Sequence, residues 1–344
     1  MGVRERYTHL LHLAAGGHGP KAQPVEKSAK YAGKGVLVSK LVHIVDDVPE
    51  LVSPSGSLPM VVVLDGFLDA GQAAVLAAGT MLASSTKSRV VATFDVDSFY
   101  DYRARRPAMS FVRDHYEDYD APRLVVRLLT DAGGNPYLLL RGPEPDTRWE
   151  GFCKAVAEVI QRFGVTRVIS LGSVPMGVPH TRPLQITPHA NDPELITVES
   201  PWQNELRIPS SAQGLLELRL GEWGHPAMGF VAHVPHYLAQ IEYPQAAVPL
   251  VEHVERAAGL LIDLTELRGE SLRKEGELRA HIEANDELGE LVSGLEQQYD
   301  AFERAQESSL LAEDTPLPTG EEIGELFEQF LAGLDGPDAE TRSE

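Results

Sequence analysis

Four stretches of this sequence hold side chains that grip anions, move protons or donate several hydrogen bonds at once. The densest, Phe94 to Pro107, contains Asp97, Tyr100, Asp101, Tyr102, Arg103, Arg105 and Arg106. Paired carboxylates there could do acid–base work, and arginine forks hold a carboxylate or phosphate at two points. A second stretch, Asp65-Gly66-Phe67-Leu68-Asp69-Ala70-Gly71, places two carboxylates among glycines that permit close backbone approach. The third, Gly172 to Pro183, brings Met176, Gly177, His180, Thr181 and Arg182, with His180 available as a general acid or base. The fourth offers His233, His236 and Tyr237. Its two histidines straddle a proline instead of sharing a helix face, which makes them a poor metal pair. Plainer roles compete with each of these. Asp69 can cap a helix. Asp97 and Asp101 can pair with Arg103, Arg105 or Arg106 and pin their loop.

The elements that must position these residues follow from periodicity. Met60 to Leu64 is a continuous, largely β-branched run, as expected of a strand buried on both faces. A helix over Gln72 to Ala83 follows, so strand, glycine-containing turn and helix open a βαβ unit. Arg89 to Thr93, Val165 to Leu171 and Gly229 to Ala232 are the other buried strands that deliver polar loops. In an open α/β sheet, ligands bind beyond the carboxyl ends of the strands, so the four loops are expected to meet in one cleft.

Around that frame, Val36 to Val45 predicts an edge strand. Leu124 to Leu129 and Tyr137 to Leu140 predict two strands joined by a turn over Asp131 to Pro136. Thr147 and Glu150 have capping-box spacing, starting a helix to Phe163 whose apolar face is Phe152, Val156, Val159, Ile160 and Phe163. Cys153 lies beside that face and reads as a small buried residue. Helices are also expected over Ser210 to Leu220 and from Val248 to Leu261, and two or three within 264–310. A final amphipathic helix carries Ile323, Leu326, Phe327, Phe330 and Leu334.

Bulk properties exclude several classes. The chain has 344 residues, 43% of them hydrophobic, and a net charge of −21 from 51 acidic and 30 basic side chains. That charge argues against general binding of nucleic acid or an anionic membrane, and no apolar run is long enough for a membrane span. One cysteine rules out an intrachain disulfide and suits a reducing cytoplasm. Leu10 to Ala15 is too short for a signal peptide. His9, His12 and His18 sit in a Gly/Pro/Ser-rich segment without a metal-binding geometry. Neither a G-x-G-x-x-G fingerprint, a phosphate-binding P-loop nor a G-x-S-x-G elbow occurs, so no cofactor, metal or serine hydrolase is expected.

Three motifs together resemble the PAC2 (proteasome assembly chaperone 2) family in its actinobacterial branch. They are Leu64-Asp65-Gly66-Phe67 with Asp69-Ala70-Gly71, Phe94 to Asp97 running into Tyr102-Arg103-Ala104-Arg105-Arg106-Pro107, and Gly172 to Gly177 with Pro179-His180-Thr181-Arg182-Pro183. The resemblance implies an α/β protein, a three-layer α/β/α sandwich of the phosphorylase/hydrolase class with a C-terminal helical subdomain. Composition and periodicity, together with a resemblance that covers roughly residues 36 to 260, divide the chain into a flexible tail (1–34), the α/β/α domain (35–260), the helical subdomain (261–312), and a linker, short helix and tail (313–344). The resemblance also implies a homo-oligomer, with a trimer as one form, and proteasome assembly as the work of eukaryotic members. This chain ends Thr341-Arg342-Ser343-Glu344, without the hydrophobic-Tyr-X tail by which some assembly factors dock. The first expectation is therefore an oligomeric binding or assembly protein without established catalysis, with a protein partner or a small anionic ligand. The alternative is an enzyme acting on a small anionic substrate at the strand ends: a hydrolase, phosphorylase or ATP-grasp-like ligase.

Overall fold

The computed structural model describes residues 41–51, 56–66, 68–196 and 207–311. The first half of the expected edge strand, the N-terminal tail, and the last amphipathic helix with its linker lie outside the described residues. Among the described residues ten strands and six α-helices follow in order: β1 (Val42–Ile44), β2 (Pro59–Asp65), α1 (Ala73–Ala83), β3 (Lys87–Phe94), β4 (Ser110–Val112), β5 (His115–Glu117), β6 (Val125–Thr130), β7 (Pro136–Pro143), α2 (Trp149–Phe163), β8 (Arg167–Met176), β9 (Ile186–Ala190), α3 (Ala212–Glu222), β10 (Ala227–Pro235), α4 (Pro244–Ala258), α5 (Thr265–Glu283) and α6 (Asp286–Leu311). Among the described residues no helix is long and apolar enough to cross a membrane.

Eight strands form one mixed sheet in the order β1-β3-β6-β7-β2-β8-β10-β9. The central β7, β2, β8 and β10 are mutually parallel. Strand β6 is antiparallel to β7, and β3 is antiparallel to β6, so β3 again points with the centre. The carboxyl ends of β2, β3, β7, β8 and β10 thus share one edge of the sheet. Alternation along the strands divides the apolar residues between two faces. Val61, Val63, Leu139 and Phe230 meet α1 and α4 on one side. Met60, Val62, Leu138 and Leu140 meet α2 and α3 on the other. This is the expected three-layer α/β/α sandwich.

Local chemistry accounts for the helix positions. The buried side of α1 is Ala73, Ala74, Ala77, Ala78 and Met81, small enough to bring the helix backbone close to the sheet. The expected face of α2 is buried in full, with Cys153 inside it and Gly164 ending the helix in the left-handed conformation. Burial pushes the Cys153 thiol up to about 12, so it packs as an apolar residue. The capping box does not form: Arg148 takes a left-handed φ of 58° at the cap, and no side chain caps the helix. Thr147 Oγ donates instead to Ser98 O at 3.4 Å, and Glu150 pairs with Arg219. Strand β8 continues five residues past Leu171, because Gly172 to Met176 pair in parallel with β10. The hairpin β4–β5 and the edge strand β9 were not expected from periodicity, being only three and five residues long per strand.

Candidate functional site

The strand-end loops do share one edge, yet they gather into three groups. Strands β3 and β8 are four places apart in the sheet, which separates their ends by roughly 19 Å at normal strand spacing. The cavity beside Val96, Phe99 and Tyr100 takes no residue from the loop after β8, and the two cavities beside Met176 to Gln185 take none from the loop after β3.

The first group is the loop after β3, and it is held mostly by its own hydrogen bonds. The Tyr102 hydroxyl donates to Asp97 Oδ1 at 2.5 Å, which raises the Tyr102 pKa. Asp101 Oδ1 accepts from the backbone N–H groups of Arg103 and Ala104 at 2.8 and 3.2 Å, a local turn. Among the described residues the Arg105 guanidinium pairs with neither Asp97 nor Asp101, although its backbone N–H donates to Asp101 O at 3.0 Å. It pairs with Asp146 at 2.7 Å, donates to Glu144 O at 2.6 Å and stacks over the Tyr100 ring at 4.8 Å. Arg103 and Arg106 are exposed. The expected pairing of Asp97 and Asp101 with these arginines does not form; the loop is tied instead to the segment after β7, where Asp146 takes both Arg105 and the Asp101 N–H, and the Glu144 carbonyl takes Arg105. Sequence separation of about forty residues hid that pairing.

The second group lies at the ends of β2 and β8. Asp69 caps α1 from outside the helix. Its Oδ1 accepts from Ala74 N–H at 2.8 Å and its Oδ2 from Val75 N–H at 3.0 Å. Ser173 adds a hydroxyl to Oδ1 at 2.7 Å. Asp65 is less well served. Its Oδ1 is buried and has no hydrogen-bond partner. Burial raises its pKa, opposed by the nearby guanidiniums of Arg141 and Arg105, with Asp69 acting in the same sense as burial. Gly66, with a φ of 137°, leaves the space that Arg105 fills: a Cβ there would stand 3.1 Å from Arg105 Nη1.

The third group, at the ends of β8 and β10, is clasped by α6. Arg182 makes a two-point pair with Asp300, both bonds at 2.8 Å, and reaches Glu296 at 3.2 Å. Thr181 donates to Glu296, and Gln185 reaches Tyr299 and Glu303. The Tyr237 hydroxyl accepts from His180 N–H at 2.9 Å and lies 2.7 Å from His180 Nδ1. Burial lowers the His180 pKa, so the ring is neutral near pH 7. His233 is buried against Thr187, while His236 is exposed. Met176, Gly177, His233 and Tyr299 line a cavity of about 200 Å³ beneath α6. Among the described residues no three His, Cys, Asp or Glu side chains could hold a metal ion.

The comparison with known proteins settles the family. The model of the PAC2 family matches residues 63–281, from the end of β2 into α5. The chain belongs to the PAC2 family. No curated protein matches it. Solved structures do. A Mycobacterium tuberculosis protein of unknown function is 40% identical over 83% of this chain and 96% of its own, with a TM-score of 0.75. A Corynebacterium glutamicum protein of unknown function is 32% identical over 76% of this chain and 97% of its own, at 0.72. A proteasome-assembly chaperone homologue from Mycobacterium tuberculosis is 27% identical over 68% of this chain and 100% of its own, at 0.61. All three motif loops lie within the PAC2 match. Helix α6, which clasps the third group, lies beyond it.

Residues that sequence reading missed are those supplied from a distance: Glu144 and Asp146 for Arg105, and Glu296 and Asp300 for Arg182. Also missed were Arg123, Arg127 and Arg141, which sit on or beside β6 and β7. Their signal was present, since Arg123, Val125 and Arg127 alternate and so share one face of the strand.

Proposed function

We propose that this PAC2 protein is a chaperone-like assembly factor of the actinobacterial branch, working in the cytoplasm as a homo-oligomer and by docking, not by turnover. The observation that carries this reading is the hairpin β4–β5. Phe111 and Tyr116 face each other across it with ring centroids 5.0 Å apart, and they are 61% and 72% exposed. Met109 and Tyr119, which flank the hairpin, are exposed as well. A lone two-stranded hairpin is marginal in water, and large exposed apolar surface marks a protein contact. Among the described residues both edges of this small sheet are unpaired, so an identical edge from a second copy can continue it. Arg113, Asp114, His115 and Glu117 put both signs of charge along the hairpin, which suits self-association. Likeness to a proteasome-assembly chaperone homologue agrees with an assembly role.

Sedimentation velocity on the full chain at micromolar concentration tests this. An oligomer is expected, and Phe111→Ser with Tyr116→Ser should convert it to monomer with an unchanged circular dichroism spectrum. A monomeric wild-type protein, or an oligomer indifferent to the double substitution, overturns the reading.

A further inference from the structure

Among the described residues the core beneath α1 and α4 takes in Leu129 of β6 but stops short of Val125 and Arg127. There a cleft of about 510 Å³ lies over β6 and β7, walled by Leu82 of α1 and by the loop Tyr119 to Pro122. That size falls within the range of small-molecule sites. Its floor holds three arginines. Val125 stands opposite Arg141, and Arg127 opposite Leu139, so Arg127 and Arg141 are diagonal neighbours on one face. Arg123 precedes Val125 by two residues and joins the same lining. Gly142 lets the strands close here: with φ at 147°, a Cβ would stand 2.2 Å from Arg123 O.

These guanidiniums are poorly neutralised by the protein. Among the described residues neither Arg123 nor Arg141 has a carboxylate within ion-pair distance, and Arg127 reaches only the Ser88 hydroxyl, at 3.3 Å. The carboxylates lining the cleft are Asp65 and Asp120, two against three arginines in a chain of net charge −21. A concentrated positive pocket on so acidic a protein selects an anion. Asp65 adds a second requirement, because its buried Oδ1 lacks a donor. Such an atom is satisfied by a ligand hydroxyl.

We propose that this cleft binds a small polyhydroxy phosphate ester, with Arg123, Arg127 and Arg141 taking the phosphate and Asp65 a hydroxyl. Three cations match a dianion better than a single carboxylate, and arginine holds phosphate by paired hydrogen bonds. The inference stands independently of oligomerisation, since all of these groups come from one chain.

Isothermal titration of the full chain with ribose 5-phosphate, and separately with inorganic phosphate, tests it at low salt. Both are expected to bind saturably. Arg141→Gln and Arg127→Gln should each weaken both by about tenfold or more, while Arg279→Gln on α5 leaves them unchanged. Asp65→Asn should weaken ribose 5-phosphate and spare inorganic phosphate. Wild-type protein provides a check that needs no variant to fold. Ribose 5-phosphate should protect Arg127 and Arg141, but not Arg279, from phenylglyoxal, as read by peptide mass spectrometry. Absence of saturable binding overturns the proposal. So does binding or protection that ignores Arg127 and Arg141. Ribose 5-phosphate binding that depends on the arginines but not on Asp65 overturns the hydroxyl assignment.

Discussion

One face of the sheet behaves in two ways. Over β2, β8 and β10 it is sealed by α1 and α4, and Val61, Val63, Phe230, Leu250 and Val254 are buried between them. Over β3 and the start of β6 the same face carries Ser88, Thr93 and Arg127, and no β1 or β3 residue joins that core, whereas Leu129 near the end of β6 does. The opposite face is closed by α2 and α3 as far as β1, where Val42 is buried. So the uncovered region is confined to one face of one half. The difference teaches that a helix decides what a strand residue is for. Leu139 and Arg141 are two residues apart on one side of β7. Leu139 falls in the sealed half and packs, whereas Arg141 faces the open half and stays available.

Substitutions can break that comparison. Leu139→Ala should cost about 2–5 kcal/mol in denaturant unfolding, because its fully buried site collapses poorly. A loss below about 1 kcal/mol would mean that the sealed half is not tightly packed. Gly71→Ala comes next, at about 2–3 kcal/mol. Its φ is 66°, and a Cβ would stand 2.7 Å from Tyr243 Cβ, at the point where the start of α1 meets the start of α4.

Acid sharpens the comparison. Burial lowers the pKa of His180, His225 and His253. The unfolded chain takes up these protons below pH about 6.5, whereas the folded chain resists until lower pH, so stability should fall as pH drops through about 6.5 toward 5. Denaturant midpoints against pH read this, and His225→Gln should flatten the slope. A midpoint independent of pH in that window would show that these rings are solvated. Arg182 holds the Asp300 carboxyl below its usual range, so the α6 clasp should persist to lower pH than an isolated carboxylate would allow. Asp300→Asn is expected to speed amide exchange in α6 while leaving the melting temperature nearly unmoved. The smallest effect belongs to the open half. Arg141→Ala should change stability by no more than about 0.5 kcal/mol, and a large loss would show that Arg141 is structural.

The third group shows how polar loop residues become architecture. Thr181 and Arg182 look like part of a binding loop in sequence, and α6 meets them and the nearby Gln185 with Glu296, Asp300, Tyr299 and Glu303. Nothing in the local pattern of Gly172 to Pro183 signals a helix more than a hundred residues later. Similarly, Asp69 took the plainer of its two roles, with both carboxylate oxygens directed to the start of α1.

Sequence alone determined the strands and helices that bury apolar side chains with a clear period. Met60 to Leu64 and the Phe152 to Phe163 face needed no partner to be read, because alternation and helical spacing are local properties. It also determined the family, through motifs at the ends of β2, β3 and β8. Tertiary structure decided the rest. Inserting β6 and β7 between β3 and β2 separated the loop of Asp97 and Arg105 from that of His180 and Arg182. Among the described residues the core beneath α1 and α4 takes in Leu129 but neither Arg127 nor Arg141, which line an open cleft instead. Strand order and helix cover arise from pairings between residues far apart in the chain, and no local spacing encodes them.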